Sequence, residues 1–196
     1  MTSLNKFEVY QKLQSSGLVV FSKHDIQKIC NITNDNTTYK LLQRLEHTNI
    51  IERITSGSYQ LKNAQTHDFT IANILYKPSY ISLESALARY SIIAQFPFVI
   101  TSITTARSKT VGKSKTYEYI HMAPHLYYGF IKEQDYLIAT PEKALFDALY
   151  LMSKGLRMFH LDEMDLSVTR TKTFREYCKQ THIGQFQRVL TAKHIL

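Results

Sequence analysis

The chain has 196 residues, 44% of them hydrophobic and 12% aromatic, and a formal charge of +8 from 24 Lys+Arg against 16 Asp+Glu with His neutral. That length suits one ordinary domain or two small ones with a real core. Six Gly and four Pro exclude a low-complexity or fibrous chain, no apolar run approaches the roughly 18–20 residues of a membrane span, and the positive excess points to an acidic partner, either nucleic acid or an acidic protein surface.

Cys30 and Cys178 are the only cysteines. They lie too far apart in sequence to suggest a disulfide scaffold or a zinc site, and the opening stretch is too polar for a secretory signal. The expected location is therefore the cytoplasm.

Residues 1–66 read as a winged helix-turn-helix. Leu4, Phe7, Val9, Tyr10 and Leu13 space out an apolar stripe on a first helix, which Ser16-Gly17 ends. Ser22-Lys23-His24-Asp25 has the capping-box pattern, and Ile26, Ile29 and Cys30 give the second helix its inner side. Asn31 to Asp35 is a turn. A third helix is expected from about Asn36 to Thr48, with Leu41, Leu42 and Leu45 inward and Thr37, Lys40 and Arg44 on another face, flanked by Gln43 and His47. Ile50 to Ile54 and Ser58 to Leu61 read as two strands joined by Thr55-Ser56-Gly57.

A polar join at residues 62–66 leads into the second unit, residues 67–196, expected to be a small mixed sheet flanked by helices, so that the whole is α+β. Phe69 to Leu75 suggests a helix before Pro78, and Ser82 is placed as the cap of another. Strands are expected at Phe96–Thr105, Tyr117–His121, Tyr127–Ile131 and Tyr136–Ala139. Thr140-Pro141-Glu142 is a strong helix start, and Gly155 a fitting stop. Two closing helices are expected at Phe174–Gln180 and Gln185–Lys193.

Catalytic signatures are weak. Gly112-Lys113-Ser114 looks like the tail of a phosphate-binding loop, but that loop needs a glycine where Arg107 stands. His121 and His125 lack the companions of a metal set. Asp162, Glu163 and Asp165 could hold Mg²⁺ in a nuclease, but three acids so close are more simply a solvated turn. The expectation is a non-enzyme with no cofactor and no metal.

Nucleic-acid signatures are stronger. In a winged helix the third helix enters the major groove, so Asn36, Thr37, Lys40, Gln43 and Arg44 would face DNA, with Arg53, Ser56 and Ser58 gripping the backbone or minor groove. Residues 1–66 carry a net charge of only +3, so a homodimer or help from the second unit would strengthen the grip. From Ser85 to Tyr117 there is no acid, while Arg89, Arg107, Lys109, Lys113 and Lys115 all fall there. Those five form a candidate partner surface, four of them in one expected loop.

Several segments also resemble the AbiEi-type antitoxins of type IV toxin–antitoxin systems. They are Tyr80-Ile81-Ser82-Leu83-Glu84-Ser85-Ala86-Leu87, Val99 to Thr105, Tyr119-Ile120-His121, Tyr128-Gly129-Phe130 and Ile138-Ala139-Thr140-Pro141-Glu142-Lys143-Ala144-Leu145, in the family's order. The resemblance implies a bacterial regulator whose winged helix binds double-stranded promoter DNA and represses its own operon. It also implies a second domain that counters a cognate nucleotidyltransferase-like toxin, without a stable complex. An orphan winged-helix regulator with a sensing or dimerisation domain is the alternative.

Overall fold

The computed structural model describes residues 5–181 and 184–192, among which eight α-helices and two sheets form a mixed α/β architecture. Leu4 and Lys193, assigned to helices from sequence, lie outside the described residues.

Local capping sets the helices of the first unit. The Asn5 side chain caps α1 (Lys6–Ser15), whose buried residues are Val9 and Leu13. Phe7, expected on that stripe, is 63% exposed, because two positions from Val9 is roughly 200° round a helix. The capping box forms at α2 (Lys23–Cys30): Ser22 N–H donates to the Asp25 carboxylate at 2.8 Å, while Ser22 Oγ accepts from Asp25 N–H. Burial works to raise the Asp25 carboxyl, but its bonds to Ser22 outweigh that and hold it below the ordinary value. Asn31 ends the helix in the left-handed region (φ 51°). The Asn34 side chain then caps α3 (Asp35–His47) by accepting from Thr37 N–H.

Beside these helices lies a three-stranded antiparallel sheet, not the expected two-stranded hairpin. Its members are β1 (Phe21–Ser22), β2 (Ile51–Thr55) and β3 (Ser58–Leu61), in the order β1-β3-β2. Two residues are too few for alternation to reveal β1; its pairing with Tyr59 and Ser58 makes it a strand.

The second sheet has six strands, β4 (Ser79–Ile81), β5 (Val99–Thr104), β6 (Lys109–Val111), β7 (Thr116–His121), β8 (Phe130–Glu133) and β9 (Tyr136–Ala139), in the order β6-β7-β5-β4-β9-β8. The β5–β7 and β4–β9 pairs are parallel and the others antiparallel. Helices α4 (Asp68–Leu75), α5 (Leu83–Arg89), α6 (Pro141–Ser153), α7 (Lys172–Gln180) and α8 (Gly184–Ala192) accompany it. Four expectations need correction. β4 was not foreseen. β5 starts at Val99, leaving Phe96 to Phe98 outside the sheet. β6 takes Lys109 to Val111 out of the expected loop. β8 runs from Phe130 rather than through residues 127–131, because Gly129 adopts φ 74° and a strand cannot run through that backbone.

At the centre, two charged side chains are fully buried. Lys143 and Asp147 on α6 pair with each other and are 0% exposed. Tyr80 Oη (2.9 Å) and Ser82 Oγ (2.8 Å) also donate to Asp147. Ser82 thus occupies the N-cap position of α5 but spends its hydroxyl on Asp147 and makes no cap bond. The Lys143 ammonium lies 4.8 Å from the ring centroids of Tyr128 and Phe146. Gly129 is required here as well as in the turn, since a Cβ would come within 2.9 Å of Tyr177 Oη and 3.0 Å of the Lys143 stem. Asp147→Ala strands a buried ammonium and two hydroxyls, so it is expected to lower stability by about 3–5 kcal/mol, and Asp147→Asn, which keeps an acceptor for the hydroxyls, by less. Urea unfolding of the two variants measures both.

Candidate functional site

The exposed side of α3 is where the sequence placed its candidate DNA contacts. Asn36, Thr37, Lys40 and Gln43 are exposed and Arg44 is half-buried. Thr38, Leu41, Leu42 and Leu45 point into the first core. Helical geometry makes Asn36, Lys40, Gln43 and His47 the outermost stripe, with Thr37 and Arg44 at its edge. Thr37 is also committed locally, its hydroxyl lying 3.4 Å from Asn34 Oδ1. The helix start is not a bare cationic end: Asp35 accepts from Lys23 Nζ at 2.9 Å and Gln27 Nε2 at 2.8 Å, and the Lys23 bond chiefly holds its carboxyl below the usual range. That tie links the start of α3 to α2 at the surface, above the core that packs the two helices.

The β2–β3 hairpin and the β6–β7 turn meet beside α3. They line one cleft of about 460 Å³ with Arg53, Thr55, Ser56, Lys109, Val111, Gly112 and Lys113. Arg53 and Ser56 from one expected surface thus adjoin Lys109 and Lys113 from the other. Ser56 is exposed at the hairpin tip, while Ser58 is half-buried. Gly112 makes the turn possible: φ is 133° and a Cβ there would sit 1.9 Å from the Lys115 carbonyl oxygen.

The cations around this cleft are held by acids and rings. Glu46 on α3 takes both Arg53 Nη2 (3.4 Å) and Lys113 Nζ (3.5 Å). Lys115 pairs with Asp68 at the start of α4. Arg53 lies over the Tyr59 ring and Lys109 over the Tyr76 ring. Arg107 is exposed, and its carbonyl accepts from Tyr76 Oη at 3.1 Å. Such exposed pairs are weak, about 0–1 kcal/mol each, so a polyanion can exchange with them.

Arg89 does not belong to this group. It pairs with Glu133 of β8 at 2.6 Å, on the opposite edge of the sheet from β6. Gly112-Lys113-Ser114 runs from strand to strand, with no helix start to offer its amides to a phosphate. Asp162 and Glu163 lie exposed in a short 3₁₀ turn, and Asp165 caps the next one through Ser167 N–H. His121 Nδ1 lies 2.9 Å from the Ala106 carbonyl oxygen.

Sequence reasoning missed Glu46, Lys23 and Tyr39. Tyr39 is 51% exposed beside the α3 stripe, with Lys23 over its ring. Its signal was present, since a large aromatic one residue from Lys40 falls off the apolar face. Glu46 gave no such signal, because its partners lie in other elements. No helix of the described residues is long and apolar enough to cross a membrane. No protein-family model matches the chain, and no curated protein matches it.

Glu46→Gln releases Arg53 and Lys113 together. It is expected to raise the salt concentration at which the protein leaves a heparin column, while changing stability by no more than about 1 kcal/mol. Unchanged retention means that the two cations are not held back by Glu46.

Proposed function

We propose that the first unit is a winged helix that docks on duplex DNA, and that the chain is an antitoxin-like repressor of its own promoter. One observation carries the reading. The outer stripe of α3 stands clear of both cores, and the cleft of Arg53, Lys109 and Lys113 lies beside it. On this reading α3 enters the major groove. Asn36 and Gln43 have the amide edges that pair with adenine, Lys40 reaches guanine, and the cleft cations neutralise flanking phosphates. Ser56 at the hairpin tip adds a hydroxyl to the backbone grip. A bound repressor would then occlude the promoter without any chemical step.

The antitoxin part of the proposal rests on the resemblance. Its segments form β4 and the start of α5, then β5, β7, the approach to β8, and β9 with the start of α6. They are thus the frame of the second unit rather than its surface. Countering a nucleotidyltransferase-like toxin would fall to this unit, in the bacterial cytoplasm.

Fluorescence anisotropy on the upstream region of the gene, at several salt concentrations, tests the DNA reading. Lys40→Ala and Gln43→Ala are each expected to weaken binding by about 1–3 kcal/mol and to relax sequence preference. Lys109→Ala and Lys113→Ala are expected to weaken all sequences alike and to lower the salt slope by about 1 each. Equal binding by all four variants would remove the assignment. Co-expression with the neighbouring toxin gene separates the two activities: the Lys40→Ala/Gln43→Ala chain is expected to lose repression but still relieve toxicity.

A further inference from the structure

Between α5 and β5, the chain raises a ridge of aromatic residues into solvent. Phe96 is 88% exposed and Phe98 96%, with Met158 (88%) and Leu156 (69%) on the neighbouring loop. The ridge is not a loose tail. Asp165 N–H donates to the Ile92 carbonyl at 2.9 Å, Ile92 N–H donates to Leu87 at 2.8 Å, and Ile93 bridges to Met164. Unpartnered aromatics on a pinned loop are the signature of a contact surface rather than of chance exposure.

Hollows flank the ridge on both sides. One, of about 210 Å³, is lined by Phe96, Pro97, His67, Phe69, Ala88 and Ile100. It is smaller than the roughly 300 Å³ at which drug-sized pockets begin, a size for a side chain rather than a metabolite. The other, of about 410 Å³, is lined chiefly by Ile93, Ala94, Met158, Phe159 and Met164.

We infer that this ridge and its hollows are a two-fold interface between copies of the chain. Three features select a second copy as the occupant. Knob and hollow lie on the same face, so a two-fold axis lets each ridge enter its partner's hollow. The rim is free of the chain's positive excess: Arg89 pairs with Glu133, and Arg157 bridges Glu84 (2.6 Å) and Glu118 (2.9 Å), two cations against three acids. Two chains of +8 can therefore meet here without setting their positive excess face to face. The two phenylalanines alone offer roughly 300–500 Å² per copy, and Met158 and Leu156 bring the contact toward the ~800 Å² per partner of a stable interface. The inference stands apart from DNA binding and is measured without DNA.

Sedimentation velocity of the full chain, from micromolar to hundreds of micromolar, tests it. The wild-type chain is expected to form a dimer, and Phe96→Ser/Phe98→Ser to weaken it at least tenfold. Because both side chains stand in solvent in the single chain, the unfolding midpoint of the variant should match the wild type at concentrations where both are monomeric. A second variant reads proximity instead of affinity. Cys30 and Cys178 are buried, so Phe98→Cys adds an accessible thiol, and oxidation should yield a covalent dimer while a Ser167→Cys control forms no covalent link. A wild-type chain at monomer mass throughout, a serine variant that dimerises as tightly, or equal cross-linking of the two cysteine variants overturns the interface.

Discussion

Asp147 is the constraint on which the rest of the second unit depends. A carboxylate with no exposed surface must find its whole hydration shell in the protein. It does so by drawing in Lys143 from its own helix, Tyr80 from β4 and Ser82 from the β4–α5 junction. Those partners tie α6 to the middle of the six-stranded sheet. Burial still pushes the Asp147 carboxyl up, against the pull of Lys143 and the two hydroxyls. Leu83, next to Ser82, takes φ 55°, a backbone that leucine seldom adopts. The sheet thus fixed carries β6 and β7 at one edge, and their turn reaches Glu46 of the first unit through Lys113.

At that meeting point the electrostatics are weak by design of distance and exposure. Glu46 holds two cations at 3.4 and 3.5 Å, longer than a good charge-assisted bond. Lys109 lies over a ring face, Tyr76, at 5.4 Å. Such contacts orient long side chains at little free-energy cost to undo. A surface built this way keeps its cations ordered and within reach of a polyanion, whereas the buried Lys143 charge is sealed among rings and Asp147.

Local chemistry was legible in the sequence and distant pairing was not. The Ser22–Asp25 box and the Thr140-Pro141-Glu142 start are spelled within a few residues, and both cap as read, with Thr140 Oγ1 accepting from Lys143 N–H. β1, β4 and β6 have two or three residues each, too few to show a period, and exist through partners elsewhere in the chain. Lys143 and Asp147 read as ordinary helix charges because Tyr80 and Ser82 lie 67 and 65 residues from Asp147. The candidate stripe on α3 was legible as a face, but its centre shifted. The spacing of Thr37, Lys40 and Arg44 picked one flank, while burial of Leu41 and Leu45 turns Asn36, Lys40, Gln43 and His47 outermost. Arg53 and Lys113 could not be joined from sequence, because no local pattern brings a hairpin and a turn 60 residues apart to one glutamate.

The two units are fastened by more than their short connection. On β2 the register shifts between Arg53 and Thr55, which leaves Ile54 out of the ladder that holds Ile51. Ile51 packs in the first core and Ile54 in the second. One strand thus serves both cores, and Glu46–Lys113 closes the gap from the other side. Sliding α3 relative to the sheet would expose Ile54 and break that pair together. Burial of Ile54 therefore sets the α3 stripe beside the β6–β7 turn, and on the proposed reading a duplex seated on the helix would meet the cleft cations at a set spacing. Specificity would then arise from where those phosphates fall as well as from the base edges that α3 touches.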